Sequence, residues 1–326
     1  MKKRRTPALA LALFCLLTAC ANPMAIQTRE EKAAALSGSG SAPRDLQDLS
    51  SGGPAVDTVL LPQASGKKVY ENEKGIMDYS NAAEGYVMLK YTAASDSRLK
   101  VIVQGPSEVR YTYNIAPGGE YATFPLSDGS GDYTIGIYKQ KGDTTRYAAQ
   151  LSKTISVKLE DEFAPFLRPN QYVNYSADSK AVKKAAELTA SCGTDLDKIS
   201  AVYSFVISHL TYDYAKAASV RSGYLSDIDA TLDSGKGICY DYAALMTAML
   251  RSQGVPTKLV VGYTGELYHA WIDVYTQSGG WVDSVIYFDG TAWKLMDPTF
   301  ASSGNSSSST LQYIGNTANY SAKYLY

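Results

Sequence analysis

Residues 235 to 263 read GKGICYDYAALMTAMLRSQGVPTKLVVGY, and this stretch decides the fold. Ala243, Met246, Met249 and Leu250 recur at helical spacing, so the run after Cys239 predicts a helix with one apolar face. Gly254 stops it, and Val255-Pro256 leads into TKLVVGY, rich in strand-forming residues. Cys239 therefore opens a helix. Unpaired backbone N–H groups and the helix dipole favour a thiolate over a thiol at such a place. Gly235 and Gly237 are expected to leave room for a substrate backbone above the sulfur.

Moving towards the C-terminus, YHAWIDVYT (268–276) alternates as a strand does, with His269 near its start. IYFDGTAWKLMDPTF (286–300) reads as a hairpin turning at Asp289-Gly290. Asp297 ends its second strand, where Pro298 terminates pairing. The three residue types fit one chemistry. A thiol is mostly protonated at neutral pH and needs an imidazole to share or take its proton. A carboxylate then holds the imidazole in the correct tautomer and stabilises its charged form. The backbone N–H of Cys239 is a natural donor to an oxyanion; the sequence offers no second donor. Trp271 and Trp281 fall where strand cores carry tryptophan, or line a groove.

The order of GKGICYDYA, then YHAW, then LMDPTF resembles the transglutaminase-like superfamily, which is papain-like in fold. The resemblance covers about residues 180 to 300. It implies that Cys239, His269 and Asp297 form a catalytic triad. It also implies attack on amide bonds of proteins or cell-wall peptides through a thioester. Water would resolve the thioester in a peptidase or deamidase, an amine in a cross-linking enzyme. A catalytically inactive surface module that binds cell-wall polymer or protein is the alternative, but a binder has no need of all three residues. No cofactor is implied. The animal enzymes use calcium, yet this chain shows no EF-hand pattern or dense acidic cluster.

Upstream, KAVKKAAELTAS (180–191) and TDLDKISAVYSFVISHL (194–210) predict two helices. Gly193 is a stop for the first, Thr194 or Asp195 a cap for the second. His209, without a motif around it, reads as structural or surface. From 55 to 165, GYVMLKYTA, LKVIVQG, VRYTYNI, YATFPL, YTIGIYKQ and KTISVKL predict short strands of a small all-β sandwich. Pro165 and Pro169 close that region, and 166–326 forms the transglutaminase-like domain. The fold class expected is thus α+β: a cysteine-bearing helix packed on an antiparallel sheet, preceded by the sandwich. The final YIGNTANYSAKYLY (313–326) reads as an edge strand.

Residues 21–54 are rich in Ala, Ser, Gly and Pro and read as a flexible linker. Residues 1–20 read as a signal peptide: Lys2, Lys3, Arg4 and Arg5 precede an apolar run from Ala8 to Leu17 that is too short to span a bilayer. It ends in LTAC, which resembles a bacterial lipobox and implies lipidation of Cys20. The chain is then expected on the extracellular face of the cell membrane. Its 31 basic and 32 acidic residues nearly balance, so nothing favours nucleic acid as a partner. Outside the first 20 residues only Cys192 and Cys239 remain, so at most one disulfide can form. With two histidines in all, His209 and His269, no metal site is expected.

Overall fold

The computed structural model describes residues 59–276, 280–282 and 319–326, and the backbone strands Tyr287–Phe288 and Trp293–Lys294. Cys20, the segments 1–20 and 21–54, the Asp289-Gly290 turn and Asp297 lie outside the described residues.

The first eight strands are β1 (Val69–Asn72), β2 (Gly75–Asp78), β3 (Tyr86–Tyr91), β4 (Leu99–Gln104), β5 (Arg110–Asn114), β6 (Ala122–Pro125), β7 (Gly131–Gln140) and β8 (Tyr147–Val157). They form two antiparallel sheets, ordered β1-β2-β3-β6 and β5-β4-β7-β8. β4 shows why: Leu99, Val101 and Val103 are buried while the residues between them are half-buried. These side chains share one core with Met77 and Leu89 of the other sheet. The β1–β2 hairpin has no apolar alternation on β1, all four of whose residues are exposed, so the sequence did not reveal it. KTISVKL is only the second half of β8, which begins at Tyr147.

The remaining elements are α1 (Lys180–Thr189), α2 (Asp195–His209), β9 (Thr211–Tyr212), α3 (Tyr214–Ser219), α4 (Ile228–Ser234), β10 (Lys236–Gly237), α5 (Cys239–Ser252), β11 (Thr257–Thr264), β12 (Leu267–Thr276), β13 (Gly280–Val282), β14 (Tyr287–Phe288), β15 (Trp293–Lys294) and β16 (Tyr320–Leu325). The expected cap of α2 is present: the Thr194 hydroxyl accepts from the Asp197 N–H at 3.1 Å, and the Asp197 carboxylate accepts from the Thr194 N–H at 3.0 Å. α1 ends earlier than Gly193, at Ala190, in a turn where the Cys192 N–H donates to the Thr189 carbonyl. A four-stranded antiparallel sheet runs β13-β12-β11-β16, so the C-terminal segment is an edge strand as expected. β14 and β15 pair antiparallel, as a hairpin does.

α5 is the axis of this half. Every residue from Asp241 to Ser252 is buried, so the helix has no solvent face, in contrast to the single apolar face the sequence suggests. α1, α2 and α4 pack against it, and β11 and β12 cover it from the sheet. Four residues, 253–256, connect α5 to β11, so the strand must return along the helix. From Ser252 back to Cys239 the helix rises about 20 Å at roughly 1.5 Å per residue. From Thr257 to Gly262 the strand covers about 17 Å at roughly 3.4 Å per residue. Gly262 pairs with His269 on β12, which brings His269 level with the cysteine end of the helix.

Arg251, 2 % exposed, gathers the two ends of the second half. Its Nε donates to the Thr257 carbonyl at 2.8 Å, Nη1 to the Arg168 carbonyl at 2.8 Å and Nη2 to the Tyr326 carbonyl at 2.6 Å. Burial pulls the guanidinium down to about 10, still charged at neutral pH. The Tyr326 ring stacks on Tyr172 at 3.9 Å and meets Tyr111 and Tyr113 of β5 edge-on. Arg168, which gives Arg251 its carbonyl, also bridges to Glu84 of the first half at 2.5 Å.

Candidate active site

The lead-in to Cys239 is strapped before the helix begins. β10 pairs parallel with β9, with the Thr211 N–H donating to the Gly235 carbonyl and the Asp213 N–H to the Gly237 carbonyl, each at 2.9 Å. Gly235 has a φ of 63° and caps α4 in the left-handed conformation that glycine tolerates best. Gly237 has a different reason. A Cβ there would lie 2.7 Å from the Cβ of Asp241. Both glycines therefore serve the folding of the lead-in, one as a helix stop and one as space for Asp241. Neither assignment needs the substrate clearance that the sequence suggested.

Cys239 is the first residue of α5, half-buried and unpaired. Cys192, the other free thiol, is at the far side of α1, where burial and then Asp197 push its thiol upward. No disulfide joins the two. His269 lies on β12 with 3 % of its surface exposed. Strand alternation puts Trp271 and Asp273 on its face of the sheet, both buried, and the His269 and Trp271 rings stack with centroids 6.3 Å apart. Ala270, Ile272 and Val274 are on the other face and belong to the apolar cluster to which α5 contributes. Gly262, opposite His269, lets Trp271 lie close over β11: a Cβ would meet the Trp271 ring at 2.9 Å and the Ser321 carbonyl of β16 at 2.0 Å. Trp271 is thus core, packed edge-on against Tyr320 as well.

Trp281 is half-buried, with Lys258 Nζ 3.6 Å from its ring centroid and Phe166 edge-on at 5.2 Å. His209 is exposed; its Nε2 lies 2.6 Å from the Leu232 carbonyl, joining α2 to α4, and its ring stacks on Phe205. That is a structural role. Of the three candidate catalytic residues, the fold brings the elements of Cys239 and His269 together. Asp297 is outside the described residues, as is Cys20.

The sequence reading missed Asp241. Its carboxylate is fully buried two residues after Cys239. Oδ1 accepts from the Tyr224 hydroxyl at 2.6 Å and the Ser226 hydroxyl at 2.8 Å. Oδ2 accepts from the Ile238 N–H at 2.9 Å and lies 2.7 Å from Lys216 Nζ. An aspartate in the first turn of a helix is a signal for such capping, but nothing local points to Lys216 or Tyr224. Beside Ser226, a recess of about 350 Å³ opens between Asn174–Ser179 and Leu225–Asp229. Its walls are mostly polar, with Ser176, Ser226, Asp227 and Asp229 among them.

Residues 182–284 match the transglutaminase-like superfamily, and the chain carries a domain of that superfamily. Curated relatives are similar over less than half of the chain. The uncharacterised protein YebA of Bacillus subtilis is 25 % identical over 179 residues, 48 % of this chain and 24 % of its own length. Kyphoscoliosis peptidase of Homo sapiens is 27 % identical over 139 residues, 39 % of this chain and 19 % of its own length. The chain thus matches about a quarter or less of the length of these relatives. Among solved structures, a candidate cysteine protease from Cytophaga hutchinsonii aligns at 16 % identity and TM-score 0.37, covering 72 % of this chain and 73 % of that one. Red sea bream transglutaminase aligns at 14 % identity and TM-score 0.25, covering 68 % and 48 %. At such scores no detail transfers. The superfamily match agrees with the mixed fold seen here: a cysteine-headed helix against an antiparallel sheet, behind an all-β region. It supports a cysteine enzyme in general terms.

Proposed function

We propose that this protein cleaves or rearranges amide bonds of proteins or cell-wall peptides by acyl transfer to Cys239. His269 acts as its base and Asp297 orients the imidazole. The observation that carries this is the placement of Cys239 as the half-buried first residue of a helix buried from Asp241 to Ser252, with the His269 strand folded level with it. The thiolate attacks the carbonyl, an oxyanion forms against the Cys239 N–H, and the amine leaves with a proton from His269. Water then resolves the thioester. Hydrolysis is favoured over transfer because Cys239 is accessible at the helix end, and the peptidase named among the relatives is in keeping with it.

The test is selective alkylation near pH 6, read by peptide mass spectrometry. Cys239 should react much faster than Cys192, and His269→Ala should slow it. Equal rates at the two thiols would remove the case for Cys239 as nucleophile. Incubation with a glutamine-containing protein and a labelled amine separates the two outcomes: free acid should exceed incorporated amine.

We also propose that acyl chains on Cys20 hold the protein outside the cell, among its substrates, on the strength of the LTAC sequence. In detergent phase separation the full chain should partition with membranes and Cys20→Ala should not. A Cys20→Ala protein that still partitions with detergent contradicts the anchor.

A further inference from the structure

Cys239 and Asp241 are two residues apart on α5, so their side chains leave the helix about 200° apart. Asp241 does not point where Cys239 points. It holds the helix start instead, by accepting from the Ile238 N–H, and it fastens the Tyr224–Ser226 loop through two hydroxyls. A neutral asparagine could accept on one side only, because its NH2 donates and would face either the Ile238 N–H and Lys216 or the two hydroxyls. A buried carboxylate adds a negative charge within the first turn, and that charge opposes a thiolate beside it. Lys216 answers that charge from a separate element, α3. Its Nζ lies 2.7 Å from Asp241 and 4.5 Å from the Tyr224 ring centroid. Burial pushes the Lys216 ammonium down, but Asp241 and Tyr224 outweigh it and hold it above its ordinary range, so Lys216 is charged at neutral pH.

We propose that Lys216 and Asp241 are positioning residues for the nucleophile: Asp241 fixes the start of α5 and the adjoining loop, and Lys216 cancels its charge so that the Cys239 thiolate is not opposed. This rests on Cys239 being the nucleophile. The pair leaves the backbone N–H groups at the helix start as the dominant field on the sulfur.

Other ionisable groups surround this end of α5: His269 from β12, Tyr240 on the helix itself, and Asp213 and Lys236 on the strap. Charges on the neighbouring elements are engaged elsewhere. Lys198 of α2 bonds the Gln253 carbonyl and Lys258 of β11 covers Trp281, both at the far end. On α4, Asp229 caps α1 and Asp233 pairs with Lys180. None of these changes when Lys216 or Asp241 is replaced.

Opposite signs follow. In Asp241→Asn the Lys216 cation is left unbalanced at the first turn of α5 and favours the thiolate. In Lys216→Met the carboxylate charge is left and disfavours it. A purely structural role would loosen the helix start in both variants and raise the thiol in both.

The experiment measures the pH dependence of Cys239 alkylation in the full chain with Cys192→Ser as background. Asp241→Asn should move the inflection down and Lys216→Met up, each by about half a pH unit or more. The double variant should return close to the parent. If Asp241→Asn moves it up or not at all, or if both singles move it the same way, the proposal is overturned. Should Lys216→Met fail to fold, the direction in Asp241→Asn decides alone. If the parent Cys239 titrates no lower than Cys192 does in the unmodified chain, the nucleophile assignment fails instead, and the signs in the variants still judge the pair.

Discussion

Cys239→Ala is expected to abolish amide turnover, by on the order of 10⁴-fold or more in kcat/KM, while leaving the fold intact. No other described side chain can take its place. Cys192 lies beyond the end of α1, with its thiol pushed up by burial and by Asp197. The fold should survive because residue 239 is half-buried and heads the helix rather than filling its core. Removing one sulfur there costs little transfer free energy, and alanine is the best helix former. His269→Ala should lose activity to a similar degree, since groups acting as one unit are not additive. Turnover of a peptide or protein amide, with circular dichroism as the check on folding, measures both. Activity retained in Cys239→Ala would place the chemistry elsewhere.

Arg251→Met carries the largest expected loss of stability, about 3–5 kcal/mol. Three carbonyls, buried on Thr257 and Tyr326 and part-buried on Arg168, lose a donor at once, although Tyr326 keeps the Leu259 N–H at 2.9 Å. Each unsatisfied buried acceptor costs about 1–3 kcal/mol, partly relieved where water can enter. The methionine recovers some packing of the side-chain stem but none of the donors. Such a loss is a large fraction of the roughly 5–15 kcal/mol that holds a typical protein folded. Arg251→Lys keeps the charge but cannot reach three carbonyls as a planar fork does, so it should recover only part. Urea unfolding reads the change as a lower midpoint at similar slope. A loss under about 1 kcal/mol would mean that the three carbonyls find other donors.

Much of this was legible in the sequence where local pattern and tertiary role coincide. The Cys239 helix, the strands on either side of Gly265 and the Thr194 cap all follow from spacing and capping chemistry. What escaped has physical reasons. α3 and α4 span six and seven residues, too few for a periodic signal, although Asp213 and Asp227 mark their starts by accepting backbone N–H groups. Asp241 and Arg251 sit in a helix whose polar residues read as solvent-facing, yet both are buried and satisfied by partners far along the chain. The glycines ahead of Cys239 carry the same lesson. Their sequence shows that bulk is excluded, and only the structure shows that the space belongs to Asp241 and to the α4 cap.

The central claim is a covalent acyl-enzyme on Cys239. Rapid acid quench of the full chain during turnover of a peptide amide, followed by mass spectrometry of the intact protein and its fragments, tests it directly. The account predicts a mass increase equal to the acyl part of the substrate, located on the peptide containing Cys239, removed by hydroxylamine and missing in Cys239→Ala. Turnover without any adduct on that peptide, or an adduct on another residue, would contradict it.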